Sequence, residues 1–373
     1  MKSDLQPLPP ANFKETTAIL KKLALANRQL AELKGIAASI PNQSILIDTL
    51  ALQEAKYSSA IENIITTQDA MYKQQVLGDV ILDSAAKEVS LYSDALRFGY
   101  ELVSKNKILT LNHIEEIHRR MMPASDGVRK LPGTVLKNPA TGEVVYTPPQ
   151  DYETVRSLME NLVDYINRPE LDDSDPLIKM AIIHYQFESI HPFYDGNGRV
   201  GRIINVLYLV LTGLLNLPIL YPSRYIIRNK SEYYRLLRTL PETADWEAWV
   251  IFMLDAVEQT SKETIMLVNE IRELMLDYKH RIREELPKIY SQDLINNLFR
   301  HPYTKIEFLM RDLGVLRKTA SKYLDSLTDA GFLQKAKIGT TNYYVNPPLF
   351  NLFAKDTHQN LAGDELETIT FEK

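Results

Sequence analysis

The chain has 373 residues, of which 45% are apolar and 24% charged, with no cysteine and a formal net charge of −5. That length predicts two or three domains, and the composition is that of a soluble globular protein with no apolar run long enough to span a bilayer. The lack of cysteine excludes disulfides and thiolate metal sites, and the negative charge argues against wholesale nucleic-acid binding while leaving room for one basic module.

Residues 1–10 lack the apolar core of a secretory signal, so a cytoplasmic location is expected. Pro7, Pro9 and Pro10 predict a non-helical lead that wraps the surface. Helical patterning covers 14–38. A second helix follows Pro41, with apolar positions at Ile45, Ile47, Leu50, Leu52 and Ala55, and runs into Ser58-Ser59-Ala60-Ile61-Glu62-Asn63. Ser58 and Glu62 are four apart and share one helical face, a spacing common on exposed helices. Further helices are expected over 79–100 and 109–122, the latter with Asn112 as cap and Glu115 as first-turn acid. The next stretch, 132–149, has strand character at Thr134-Val135-Leu136 and Val144-Val145-Tyr146 around a turn from Asn138 to Gly142, and reads as a hairpin. Arg129 and Gly133, just before it, are assigned no chemistry. Asp151 or Thr154 starts the next helix, and Asp175 with Pro176 caps the one after it. Leu177, Met180, Ile183, His184 and Phe187 then fit a buried helix, with His184 structural.

That helix leads into His191-Pro192-Phe193-Tyr194-Asp195-Gly196-Asn197-Gly198-Arg199-Val200-Gly201-Arg202, a loop that feeds the N-terminus of another helical run. The first backbone N–H groups of a helix have no intrahelical partner, and the dipole favours negative charge, so phosphate is the natural guest. Gly196 and Gly198 permit positive φ and clear the approach to the amides, and Asn197 tolerates the left-handed region. Arg199 and Arg202, three apart, fall on one face and are expected to reach a common polyphosphate. Asp195 would repel phosphate without an intervening cation, and Mg²⁺ held by one carboxylate, phosphate oxygens and water is the usual arrangement. His191, with a pKa near neutrality, is left as the base for an attacking hydroxyl. Phe193 is expected to plug into the core and fix the loop.

The stretch matches every position of the motif H-x-F-x-[DE]-G-N-G-R-x-x-R and so resembles the Fic family, most of whose members transfer AMP from ATP to a hydroxyl of a target protein. The resemblance implies ATP as substrate with Mg²⁺, His191 as catalytic base, Asp195 as metal ligand, and Gly196, Asn197, Gly198, Arg199 and Arg202 as the phosphate site. The hexad from Ser58 to Asn63 is similar to the family's inhibitory helix motif, [ST]-x-x-x-E-[GN]. By that resemblance Glu62, with Ser58, pairs with Arg202 and occupies the group needed for the γ-phosphate, an autoinhibited state. The 132–149 hairpin resembles the family's flap, and an edge strand there can hold a target peptide by backbone pairing.

Beyond the motif, Val200, Ile203, Ile204, Leu207, Tyr208 and Leu211 extend a buried helix to Gly213 as C-cap. Tyr233 and Tyr234 resemble a tyrosine pair near the adenine, although tyrosines at helical spacing serve equally as core, and some relatives carry asparagine where this chain has Pro241. A charged helical run from Trp246 to Leu286 is expected to bridge domains. Three short helices over 293–299, 305–312 and 316–330, then two strands around Gly339 to Asn342, resemble a winged helix-turn-helix. Its residues 300–345 hold eight Lys or Arg against four Asp or Glu. Arg317, Lys318, Ser321 and Lys322 would face a groove, with Lys335 and Lys337 on the wing; DNA and protein partners both remain open for that module.

The expected fold is mainly α: a Fic helical core with a β-hairpin flap, plus a C-terminal winged helix domain. Its parts are an N-terminal helical region carrying the inhibitory helix (1–105), the catalytic core (106–260), a connecting helix (261–287), the winged helix (288–350) and a tail (351–373). The expected function is an autoinhibited protein adenylyltransferase acting on a Ser, Thr or Tyr hydroxyl presented along the hairpin, itself included, without a membrane partner and with a homodimer left open. Two alternatives stand beside it: a DNA-binding transcriptional regulator with a nucleotide-sensing core, and transfer of phosphate or another phosphate-linked group, or removal of AMP, on the same fold.

Overall fold

The computed structural model describes residues 5–77, 83–137, 142, 144–338 and 341–358. The chain enters as an extended lead in which Leu8 is buried and exchanges backbone hydrogen bonds with the Asn161 carboxamide at 2.7 and 3.0 Å. Then come α1 (Thr17–Ala37), α2 (Ser44–Ile61), α3 (Gln68–Leu77), α4 (Ser84–Asn106) and α5 (Leu111–Met121). The expected helix over 79–100 starts at Ser84, because Asp83 is the residue whose carboxylate accepts from the first free amides, those of Ala85 and Ala86; residue 79 lies outside the described residues. The start of α5 also differs from expectation. Thr110, not Asn112, caps it, in a reciprocal box with His113, since the hydroxyl immediately before the first turn reaches the third amide and a residue inside the turn does not.

A hairpin of β1 (Leu136–Lys137) and β2 (Val144–Tyr146) follows, antiparallel, with Leu136 opposite Tyr146. Its first strand starts later than expected because the Thr134 carbonyl is bound by the Gln150 side chain, 2.9 Å; turn residues 138–141 lie outside the described residues. The core continues through α6 (Tyr152–Asn167), α7 (Pro176–Ile190), α8 (Asn197–Leu211), α9 (Ser223–Arg228), α10 (Lys230–Thr243) and α11 (Trp246–Glu285). Asp151 caps α6, and Asp175 caps α7 with Pro176 at its first position. All but two residues of α7 are buried, so it forms the centre of the bundle, with α6, α8 and α11 packed around it.

The helix α11 is not a bare connector. It spans 40 residues, buries side chains from Trp249 to Ile282 and lies along α1, so residues on both sides of position 260 share one apolar core. The C-terminal region contains α12 (Gln292–Arg300), β3 (Tyr303–Thr304), α13 (Ile306–Leu313), α14 (Arg317–Asp329), β4 (Gln334–Ile338) and β5 (Thr341–Val345). The two expected strands form a sheet with an unexpected third, in the antiparallel order β3-β5-β4. Residues 351–358, expected in the tail, are helical, in an α15 (Pro347–His358) that buries Leu349, Phe350 and Phe353; residues from 359 lie outside the described set.

This C-terminal unit is docked on the N-terminal helices. Arg300 Nε donates to Asp48 on α2 at 2.9 Å, Lys305 Nζ to the Val76 carbonyl at 3.1 Å, and the Tyr303 hydroxyl to Asp69. No helix among the described residues is long and apolar enough to cross a membrane.

Candidate active site

The loop between α7 and α8 is shaped by two left-handed residues. His191, at φ 50°, caps α7, and Gly196, at φ 79°, precedes α8. The sequence predicts that backbone freedom at Gly196, Asn197 and Gly198, but Asn197 and Gly198 are already helical. The buried Asn197 carboxamide acts differently: it accepts from Phe193 N–H and donates to the Phe193 carbonyl, both at 2.8 Å. It pins the loop, so the Asn197 side chain is committed to Phe193. Phe193 is fully buried, as expected. At Gly196 a side chain is excluded twice, by the positive φ and by Met121, whose Cε would lie 2.9 Å from an added Cβ.

His191 is held from behind by Arg129, to which the sequence alone assigns no role. Buried Arg129 donates through Nε to the His191 carbonyl at 2.8 Å and through Nη2 to the carbonyls of Ile190 and Pro149. Burial pushes the His191 imidazole down to about 4, with Arg129 acting in the same sense and the Glu188 backbone, Glu62 and Asp195 opposing. The ring is therefore neutral at pH 7 and able to accept a proton. The hairpin is tied to the same place: the Tyr146 hydroxyl donates to the Ser189 carbonyl at 2.9 Å, and the Tyr194 hydroxyl accepts from Leu131 N–H at 3.0 Å.

Asp195 presents a carboxylate that is 73% exposed, touched by Gly196 N–H at 2.6 Å and by Arg199 Nη2 only at 3.9 Å. Its backbone is fixed by His118, also unforeseen, whose Nε2 donates to the Asp195 carbonyl at 2.9 Å while the ring stacks on Phe193 at 3.8 Å. Among the described residues no group of three or more His, Cys, Asp or Glu could hold a metal by protein ligands alone.

The two motif arginines start on one helix but are held by different partners. Buried Arg199 pairs with Glu88 of α4 at 2.9 Å. Arg202, 1% exposed, donates through Nε to Ser58 Oγ at 2.7 Å, and through Nη2 to the Ser58 carbonyl at 3.0 Å and Glu62 Oε1 at 2.7 Å. Ser58 sits in the last turn of α2 and Glu62 is its C-cap, so both project onto the start of α8. A Cβ on Gly198 would come within 2.5 Å of Glu62 Oε1 and 3.0 Å of Arg202 Nη1. Glycine is needed here for space rather than for φ.

Two further carboxylates surround Arg202, and nothing in the sequence marks them. Glu54 accepts from the Ser223 hydroxyl at 2.5 Å and Tyr92 at 3.2 Å; burial pushes it up to about 7 against the pull of Ser223 and of the Arg202 charge. Glu188, in the last turn of α7, is pushed up to about 7 by burial, with Arg202 pulling down and Glu62 pushing up. Glutamates at two helical positions carry no periodic signal, since their partners come from other helices.

The tyrosine pair is divided. Tyr233 is 1% exposed, packs on Trp249 and Phe252 and shares a 2.8 Å hydrogen bond with His184 Nε2, so its ring belongs to the core and cannot cover a base. His184 is structural, as expected. Tyr234 keeps a 43% exposed ring. In the C-terminal unit, Lys318, Lys322 and Lys337 are exposed, but Arg317 pairs with Glu307 at 2.8 Å and Lys335 with Asp325 at 3.0 Å, and Ser321 donates to Asp325 at 3.3 Å. Acidic groups therefore interleave with the cations expected to face a groove.

Three family profiles match the chain: Fic/DOC family N-terminal over residues 20–101, Fic/DOC family over 108–209, and the C-terminal domain of protein adenylyltransferase SoFic-like over 274–349. Among curated relatives, Protein adenylyltransferase Fic of Drosophila willistoni is 27% identical over 197 residues, 52% of this chain and 37% of that protein. Protein adenylyltransferase fic-1 of Caenorhabditis elegans is 31% identical over 145 residues, 38% and 27% respectively. The matched part of the chain thus spans about a third of the length of these relatives. Among solved structures, a Fic family protein from Desulfovibrio desulfuricans G20 shares the fold over 91% of this chain and 98% of its own, with 23% identity and a TM-score of 0.56. Fic-1 from C. elegans does so over 67% and 73%, with 21% identity and a TM-score of 0.53. Motif, profiles and fold agree, and the chain belongs to the Fic/DOC family.

Proposed function

We propose that this chain is a protein adenylyltransferase that moves AMP from ATP to a Ser, Thr or Tyr hydroxyl of a target protein, itself included, and that Glu62 with Ser58 holds it in a resting state. One observation carries the reading: the guanidinium of Arg202, at an anion-binding helix start, is bound at once by Ser58 and Glu62 while a neutral His191 stands at the other end of the same loop.

The first amides of α8 offer unpaired N–H groups to phosphate, with Gly198 leaving the approach open. Arg202, in the second turn of α8, is the cation best placed to add charge, provided Glu62 withdraws. Asp195 fits Mg²⁺: a single exposed carboxylate suits an ion whose other ligands are phosphate oxygens and water, and such an ion neutralises charge on the phosphates when bound. His191 takes the proton of the target hydroxyl as its oxygen attacks the α-phosphorus and pyrophosphate leaves, a step to which general base catalysis contributes roughly 10²- to 10⁴-fold. The hairpin, anchored to α7 through Tyr146, supplies an edge along which a target segment can pair.

The test is label transfer with α-labelled and, separately, γ-labelled ATP, using wild type, Glu62→Gly and His191→Ala. Expected is protein-bound label from the α position only, stronger in Glu62→Gly and absent in His191→Ala. Label from the γ position alone overturns the reading.

A further inference from the structure

Arg202 is a buried cation with more carboxylates around it than its charge can satisfy. Glu62 and Ser58 hold it from α2, and Glu54 sits behind it with its own partners, Ser223 and Tyr92. Glu188 is different. Its Oε1 is buried and accepts no hydrogen bond among the described residues, although a buried carboxylate oxygen left without a donor is destabilising. The oxygen is packed against α8 at the residue before Arg202, where a Cβ on Gly201 would collide with it. The missing side chain at 201 is what allows the carboxyl to lie there.

Among the described residues the groups that face Glu188 are Arg202 on α8, Glu62 at the end of α2, Tyr233 and Tyr234 on α10, His184 on its own helix α7 and His191 at that helix's C-cap. Tyr233 is held neutral by burial, and His184 is neutral too, pushed down to about 3 by burial and the Arg202 charge. Among the described residues Arg202 is thus the one cation facing Glu188, and it is presently taken by Glu62.

We infer that Glu188 is a positioning residue for Arg202: when Glu62 withdraws, the Glu188 carboxylate takes the guanidinium and holds it at the start of α8, facing the phosphate loop. Only what Arg202 then does for ATP rests on the transferase reading; the exchange of partners does not. Two carboxylates compete for one guanidinium, and each disfavours the charge of the other. Loss of the Glu62 charge therefore lowers the pKa of Glu188 and strengthens its grip, while ionisation of Glu188 as pH rises through about 7 weakens the Glu62 clamp.

A crystal structure of the Glu62→Gly chain tests the exchange directly. Expected is an Arg202 nitrogen within about 3 Å of a Glu188 oxygen, the length of a charge-assisted hydrogen bond; an Arg202 still on Ser58 with Glu188 unpaired overturns the inference. Calorimetric titration with ATP and with ADP, in Glu62→Gly with and without Glu188→Gln, gives the functional readout. The preference for ATP should fall about tenfold on adding Glu188→Gln, the scale of a charged hydrogen bond, and an unchanged preference speaks against the role. In transfer assays the ratio of Glu62→Gly to wild-type rate should shrink between pH 6 and 8, and lose that dependence when both chains carry Glu188→Gln. Failure of Glu62→Gly to transfer label would defeat the transferase reading, and the Arg202 to Glu188 distance would still decide this one.

Discussion

Arg202 meets Glu62 at 2.7 Å across 140 residues of sequence, in a space that exists because position 198 has no side chain. Removing the acid should free the cation. Glu62→Gly is expected to raise label transfer at least tenfold, on the scale of one charge-assisted contact, roughly 1.5–3 kcal/mol. Because Glu62 is one-third exposed and Ser58 remains on Arg202, the thermal midpoint should shift by only a few degrees, in line with about 1 kcal/mol. An unchanged rate with an unchanged midpoint would refute the clamp.

Gly198→Ala addresses the same contact from the other side. The added methyl would stand 2.5 Å from Glu62 Oε1, and the flexible end of that glutamate is what can yield. Basal transfer should rise above wild type but stay below Glu62→Gly, since the methyl also crowds Arg202 at 3.0 Å and narrows the phosphate approach that the glycine leaves open. Equal rates for Gly198→Ala and wild type would show that the clamp tolerates the methyl.

Arg129→Ala leaves the carbonyls of His191, Ile190 and Pro149 without their shared buried donor. Each orphan costs roughly 1–3 kcal/mol, so chemical denaturation should report a loss of a few kcal/mol. The imidazole loses its support at the backbone, and kcat should drop at least tenfold with KM for ATP little changed. A matched rise in KM would place Arg129 in nucleotide binding instead.

The His191 imidazole, pushed down to about 4, must be neutral to accept a proton. In Glu62→Gly the rate should hold from pH 8 to pH 6 and fall as pH drops toward 4. A half-maximal point near 6.5, the usual value for histidine, would show an imidazole that is solvated during turnover.

Stability should depend on pH through two opposed sets of buried groups. His184, pushed to about 3, and His191 and His301, pushed to about 4, lie below their unfolded values, so their contribution is complete above roughly pH 6.5 and is lost as pH falls through the folded values. Glu54 and Glu188, pushed up to about 7, contribute fully below roughly pH 4.3 and lose that contribution as pH rises through 7. Thermal midpoints should therefore peak near about pH 6.5 and decline on both sides. Glu54→Gln should flatten the alkaline decline, and a midpoint that climbs steadily to pH 8 would contradict these assignments.

The sequence by itself determined the local features. Asp175 and Pro176 specified the start of α7, and the glycines after His191 marked the turn into a new helix, because caps, turns and helix amides act within a few residues of chain. The spacing of Ser58 and Glu62 was legible as well, through its resemblance to a known motif. Tertiary structure alone decided which groups meet: that Arg199 turns to Glu88, that Arg129 and His118 fix the backbone of His191 and Asp195, that Tyr233 belongs to the core, and that α11 joins the N-terminal and C-terminal helices in one core. It also placed Glu54 and Glu188 around Arg202. Burial and the approach of a charge from a distant helix set these outcomes, and neither leaves a trace in the spacing of residues along one helix.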